Sequence, residues 1–246
     1  MNYFWTHKYH IPEGQGFGQF SRGHFLWLAV SVLFVAVISF VYKTAGAAER
    51  IVILRAIAAS LILIDVLKLC LIHYSGVNVT EYLPLEICSF AAYSTVFDSI
   101  WPANTFFPAL LLTLFLPAAI MAILFPTTAM LPAVNIYTIH QFLYHDLIIA
   151  YITARFIAGE ITLDYAGVWG SIAKVLTLAA CMYVVDTVFH RNFMFLRGTE
   201  DNALLEMIWK KTGGGFGYTI GLVCFCIFMI HVFFVFFKCI ALLFGI

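Results

Sequence analysis

Charge is what this chain most lacks. Asp, Glu, Lys and Arg supply 11% of its 246 residues, where soluble domains carry about 25%. There is no basic surplus either. Thirteen Lys and Arg balance 13 Asp and Glu, which excludes the electrostatic footprint of a nucleic-acid binder. Six cysteines (Cys70, Cys88, Cys181, Cys224, Cys226 and Cys239) fall in apolar stretches rather than loops, so no disulfide framework is expected. Cys224-Phe225-Cys226 is spaced too tightly for a metal knuckle, and neither a metal nor a cofactor is expected. The first apolar run starts near His24 and is too long for the core of a cleavable signal, so it reads as a retained span. No internal repeat points to an inverted-repeat transporter. The motifs of α/β-hydrolases, zinc hydrolases, P-loop nucleotide binders and HxxxxD acyltransferases are all missing.

What remains is hydrocarbon. Hydrophobic residues make up 63% of the chain and the mean hydropathy is +0.97. An integral membrane protein follows. A span needs about 20 mostly apolar residues, and seven such stretches are expected at 24–43, 51–73, 83–101, 105–125, 135–157, 168–190 and 217–237. The fold class is therefore all-α, a polytopic membrane helical bundle. Residues 1–23, rich in aromatics and glycine, read as an interfacial N-terminal segment, and 24–246 as one transmembrane domain. Within it, 191–216 places Leu204, Leu205, Ile208 and Trp209 beside Glu206, Lys210 and Lys211. That pattern predicts a short interfacial amphipathic helix closed by Gly213-Gly214-Gly215.

Positive charge does not orient the bundle. One face carries Lys8, Arg22, Arg191, Arg197, Lys210 and Lys211, the other Lys43, Arg50, Arg55, Arg155 and Lys238. Counting passes is more informative. Spans 1, 3, 5 and 7 enter from the N-terminal face and span 6 returns to it, so His24, Cys88, His145, His190 and Asn192 all approach one leaflet. At the helical rise, Cys88 is expected about 8 Å and His145 about 15 Å below that face.

Cys88 follows Leu83-Pro84-Leu85-Glu86-Ile87. Pro84 suits the first turn of a helix, which places Cys88 near an N-terminus where the macrodipole favours negative charge. Glu86 opposes that charge. The bland alternative is a small apolar side chain packed between helices. His145 sits within a span, where ionisable groups usually face a cavity. Gln141, one turn earlier, is placed to fix its tautomer, whereas Asp146 points elsewhere. The bland alternative is a histidine bridging two helices. His140 is expected nearer the interface, solvated. Asp65 and Lys68, three apart, are expected to pair. Asp98, Asp186 and Lys174 are expected to snorkel or hydrogen-bond near span ends, with Asp186 also able to orient a histidine of another span. His24 is either an interfacial anchor or a third polar group for a lipid head. Asn192 either caps span 6 or donates to an oxyanion.

In chain order, Phe20-Ser21-Arg22-Gly23-His24, Leu83-Pro84-Leu85-Glu86-Ile87-Cys88, Tyr144-His145 and Asn192-Phe193-Met194-Phe195-Leu196 resemble the YwaF-like integral membrane proteins. Those proteins are themselves similar to an animal transmembrane acyltransferase of ether phospholipids. The resemblance covers about residues 17–237. It implies a multi-helix fold in which Cys88 is a nucleophile and His145 its partner, and more distant relatives are membrane hydrolases of fatty-acid esters that use threonine and histidine. Glu86 stands where the family pattern has histidine, and no proline follows Asn192.

The expected function is a lipid acyltransferase or acyl hydrolase working through a Cys88 thioester, with His24, Glu86, Gln141 and Asn192 in support and lipid tails between spans 3 and 5. The expected partners are a phospholipid or lysophospholipid and the bilayer, in the cytoplasmic membrane of a bacterium. Three alternatives stay open: a solute or proton pathway through Asp65, Lys68 and His145, a non-catalytic lipid-binding protein, and a metal site on His24, Cys88 and His145.

Overall fold

The computed structural model describes residues 3–200 and 202–245; of the segments expected above, Met1, Asn2, Asp201 and Ile246 lie outside the described residues. Among the described residues there is no strand. Eight helices follow in order: α1 (Arg22–Thr44), α2 (Ala47–Tyr74), α3 (Ile87–Ile100), α4 (Pro108–Leu124), α5 (Ile136–Ile157), α6 (Tyr165–Val188), α7 (Ala203–Thr212) and α8 (Gly215–Phe244). Short 3-10 turns occupy Lys8–His10 and Val79–Glu81.

Residue type sets where these helices begin. Ser21 Oγ accepts from the His24 amide at 3.2 Å. Asn135 caps α5 through the Tyr137 amide at 2.9 Å, and Asp164 caps α6 through the Gly167 amide at 2.7 Å. Each satisfies a donor that the first helical turn leaves over. Helix α7 is the expected amphipathic helix. Asn202 caps it, and Gly213, at φ 78°, ends it because the left-handed conformation is open to glycine at no steric cost.

Helices α1, α6 and α8 are long and apolar enough to cross a membrane by length and composition, while α3 and α4 are shorter apolar helices. Their large hydrophobic side chains stay exposed, as at Leu26, Leu33, Phe40, Val184, Phe228 and Phe236. In water such surface would be costly; against lipid it is neutral. Helix α5 is the pillar. From Tyr144 to Ile152 every residue is buried, and Trp27 of α1 stacks on Phe142 with centroids 4.8 Å apart. A π-helical turn, Leu111–Phe115, interrupts α4 and is buried throughout.

Several of the charges are paired. Arg155 is buried and donates to Asp98, to the Pro102 carbonyl at 2.7 Å and to Glu160 at 3.2 Å. Tyr151 donates to Asp98 and Tyr42 to Glu160, both at 2.6 Å, and Arg50 reaches Glu160 at 3.2 Å. This network closes the end of the bundle away from the N-terminal segment and joins α1, α2, α3 and α5. Asp98 is thus hydrogen-bonded, not snorkelling. Lys174 donates to the Phe106 carbonyl at 2.8 Å. Asp186 accepts from the Phe193 amide at 3.0 Å and has no histidine partner among the described residues, so of the two alternatives it takes the hydrogen bond near the span end.

Candidate functional site

Helix α3 begins at Ile87, not at residue 83, and Glu86 is its N-cap residue with no side-chain cap hydrogen bond. Pro84 lies in the preceding loop rather than in the first turn; its carbonyl accepts from the Tyr93 hydroxyl at 2.9 Å. The late start places Cys88 in the first turn. The Glu86 carbonyl accepts from the amides of Ser89 and Phe90 at 2.9 and 3.1 Å. The amides of Ile87 and Cys88 have no hydrogen-bond partner among the described residues.

His145 meets this point from α5. Its Nε2 lies 3.0 Å from the Cys88 sulfur, and its Nδ1 lies 2.6 Å from the Gln141 carbonyl oxygen. A carbonyl only accepts, so Nδ1 carries the proton and Nε2 is the free acceptor facing the thiol. The sequence placed Gln141 to fix this tautomer; the group that meets the ring is its backbone carbonyl. The Gln141 side chain instead donates to the Ala122 carbonyl at 3.2 Å.

Cys88 reaches the same layer as His145, unlike the sequence estimate, because the two side chains are in contact. His145 is the tenth residue of α5 and Asp65 lies nine residues before the end of α2, so each sits about 13 Å along its helix. Tyr144 ties the two helices together by donating to Asp65 at 2.9 Å. The 75–86 segment descends before α3 starts, which brings Cys88 down to the same layer.

Two cavities meet at this pair. One is apolar, about 220 Å³, and runs from Cys88 and His145 past Leu114 and Ala118 of α4, Val175 and Ala179 of α6 and Cys226 of α8. Tails were expected between α3 and α5; the apolar space opens from those helices toward α4, α6 and α8. The other cavity is polar, about 150 Å³, and is lined by Lys8, Lys68, Glu86, Thr128, His140 and Tyr144 as well as the catalytic candidates. A third, vestibule-like space of about 640 Å³ lies beyond it beside Lys8, Arg191, Asn192, Arg197 and Glu200. Glu86 and Thr127 line all three. The Glu86 side chain makes no hydrogen bond or ion pair among the described residues.

Other expected residues stand elsewhere. His24 is fully buried; its Nδ1 accepts from the Phe20 amide at 2.9 Å and its Nε2 donates to the Ile123 carbonyl at 2.8 Å. It pins α1 to the end of α4 with both ring nitrogens engaged, and among the described residues no three His, Cys, Asp or Glu side chains gather to hold a metal. Asn192 donates to Gly198 O at 3.1 Å and Glu200 Oε1 at 2.9 Å and accepts from the Arg197 amide at 2.9 Å. Its amide organises the loop after α6 and faces the vestibule, not the thiol. His140 is not solvated. It stacks on Tyr144 with centroids 5.4 Å apart and lies 4.0 Å from Asp65. Lys68 pairs with Asp65 at 2.9 Å, as the spacing implied.

Thr127 and Thr128 carried no signal in the sequence, and Tyr144 entered only through the Tyr144-His145 motif. Only the Tyr144–Asp65 bond shows that the hydroxyl belongs to the layer of the site.

The fold and this cavity define an integral membrane helical protein with a thiol–imidazole pair enclosed between helices. The chain belongs to the TMEM164 family, whose sequence profile matches residues 19–239. No curated protein and no solved structure matches it.

Proposed function

We propose that this protein is a lipid acyltransferase or acyl hydrolase that works through a thioester on Cys88. The observation that carries the reading is the 3.0 Å approach of His145 Nε2 to the Cys88 sulfur at the junction of an apolar and a polar cavity. A nucleophile within reach of a base, with the base oriented by a third group, is the arrangement acyl transfer requires.

The proposed steps fit this geometry. His145 Nε2 takes the thiol proton as the sulfur attacks the carbonyl carbon of an acyl ester. The unpaired amides of Ile87 and Cys88, at the positive end of α3, receive the developing oxyanion. Collapse breaks the ester C–O bond, and the imidazolium returns its proton to the departing alkoxide, leaving the acyl group on sulfur. A lysolipid hydroxyl or water then gives its proton to His145 and attacks the thioester carbonyl. The C–S bond breaks and the thiolate takes the proton back. The apolar cavity holds the acyl chain throughout.

A YwaF-like kinship, a relation to animal ether-phospholipid acyltransferases, a phospholipid or lysophospholipid substrate and a bacterial cytoplasmic membrane belong to the same proposal. The apolar cavity alone supports a second reading, lipid binding without catalysis. One experiment separates the two. The purified chain is incubated with phospholipid, and Cys88 is examined by mass spectrometry for a hydroxylamine-labile acyl adduct while released or transferred chains are followed. An adduct on wild-type protein, absent from Cys88→Ala and strongly reduced in His145→Ala, supports the enzyme. No adduct and no turnover in wild-type protein that still retains lipid leaves the binding protein.

A further inference from the structure

The polar cavity beside Cys88 has an unbalanced lining. Lys68 enters it from α2 and Lys8 from the N-terminal segment. Lys68 is held by Asp65 at 2.9 Å, which leaves two of its three ammonium donors uncommitted. Lys8 has no ion pair among the described residues; it rests over the rings of Tyr9 and Tyr82 at 5.3 and 5.9 Å. Two more lining residues carry spare polar atoms. His140 Nε2 and Thr128 Oγ1 are buried without a hydrogen-bond partner among the described residues. One carboxylate, Glu86, faces the same space, and it stands two residues from the thiol. The cavity, at about 150 Å³, is an order of magnitude roomier than one water requires.

We propose that this cavity is a phosphate-ester subsite, in which Lys68 and Lys8 hold the phosphate of the lipid whose acyl chain enters the apolar cavity. The inference rests on the acyl-transfer reading for the identity of the lipid, but not for the binding. An ester lipid bridging the two cavities through Cys88 has only its glycerol and whatever follows it to place on the polar side. Uncommitted ammonium groups around an enclosed space select an anion with several acceptor oxygens over an uncharged glycerol. Glu86 repels that anion from the α3 side and so seats it against Lys68. Lys8 lines both this cavity and the vestibule beyond, which puts it at the neck through which a head group passes.

The test uses the full chain in nanodiscs of ether-linked lipid, which offer no acyl group to transfer, and two ether-linked probes: a monoalkyl glycerophosphate and the monoalkylglycerol of the same chain length. Binding is read from thermal unfolding shifts across a concentration series. The phosphate-bearing probe is expected to bind at least about tenfold more tightly, the scale of one charge-assisted contact. Lys8→Gln and Lys68→Gln are each expected to erode that preference, and Lys68→Arg to keep it. Equal affinity for the two probes, or a preference that survives both glutamine variants, overturns the subsite. Lys8→Gln lies outside the bundle and decides the matter if Lys68→Gln fails to fold. Cys88→Ala is expected to retain the full preference, so loss of the acyl adduct with intact discrimination strikes the enzyme proposal alone. Inorganic phosphate that displaces the probe assigns the subsite to a free anion, and a probe that resists displacement assigns it to a head group.

Discussion

The Gln141 carbonyl oxygen and His145 Nδ1 stand 2.6 Å apart, one turn along the same helix. That bond fixes which ring nitrogen is free, and the free one faces Cys88 at 3.0 Å. The helix that buries His145 therefore also sets its proton, without a carboxylate partner.

If His145 is the base, His145→Ala lowers acyl transfer by about 10²–10⁴-fold with helical content unchanged. Gln141→Ala keeps the backbone carbonyl and is expected to cost far less. Initial rates on a fluorescent phospholipid, with circular dichroism alongside, check both. Equal losses in the two variants would place tautomer control in the side chain.

Asn192 has its amide engaged by Gly198 and Glu200, so Asn192→Ala is expected to leave the catalytic rate within a few-fold. Loss of an oxyanion donor costs about 10²–10³-fold. A loss of that size in steady-state kinetics would return Asn192 to the site.

The apolar cavity passes the small side chain of Ala179 on α6. Ala179→Phe fills it, and longer acyl chains are expected to be transferred about tenfold less well than short ones, given the 1–3 kcal/mol that a misfit methylene costs in an apolar pocket. Chain-length profiling of products by mass spectrometry measures this. An unchanged profile would place the acyl chain elsewhere.

Arg155 and Asp98 form a buried pair, with the partly exposed Glu160 beside it. Removing Asp98 strips the buried Arg155 of its buried carboxylate and leaves it only the partly exposed Glu160, so Asp98→Ala is expected to destabilise toward the lower end of the roughly 3–5 kcal/mol that a broken buried pair costs. Asp98→Ala combined with Arg155→Met is expected to recover part of this. Unfolding in mixed micelles reads the difference, and additive losses would contradict the pairing.

His7, in the N-terminal segment outside the spans, is enclosed by the rings of Tyr9, Tyr82 and Tyr137. Burial first, then the nearby Lys8 and His10, push its pKa down from 6.5 to about 4. The unfolded segment binds the proton more readily, so the stability it lends is full above pH 6.5 and is lost as pH falls from there toward 4. His7→Phe is expected to flatten this acid sensitivity, measured by thermal unfolding or by proteolysis of the segment between pH 7 and 4.

Much of the fold was legible because hydrophobic length is a local property. The expected spans at 24–43, 135–157 and 168–190 match α1, α5 and α6 within a few residues, and Leu204 to Lys211 form the expected amphipathic helix α7. Cys88, His145 and the Asp65–Lys68 pair could be singled out because polar groups in an apolar run are costly enough to need a reason. The errors share one cause. Placing the start of α3 at residue 83 followed a helix-favouring proline, but the chain there descends unwound to deliver Glu86 and Cys88. His24, Asn192 and His140 are read from the sequence by their distance from a span end, while their neighbours Ile123, Gly198 and Asp65 come from contacts or turns that spacing does not encode.

Sequence by itself determined that this chain is a membrane helical bundle, since a lipid solvent leaves its apolar runs no other way to satisfy their backbones. It also determined which polar side chains had to be accounted for. Tertiary structure alone decided that the Cys88 thiol meets the His145 ring, that their meeting point divides an oily space from a charged one, and that His24 and Asn192 serve the scaffold. Those outcomes depend on how helices far apart in the chain are staggered against one another, and that stagger is set by packing and buried hydrogen bonds rather than by any local run of residues.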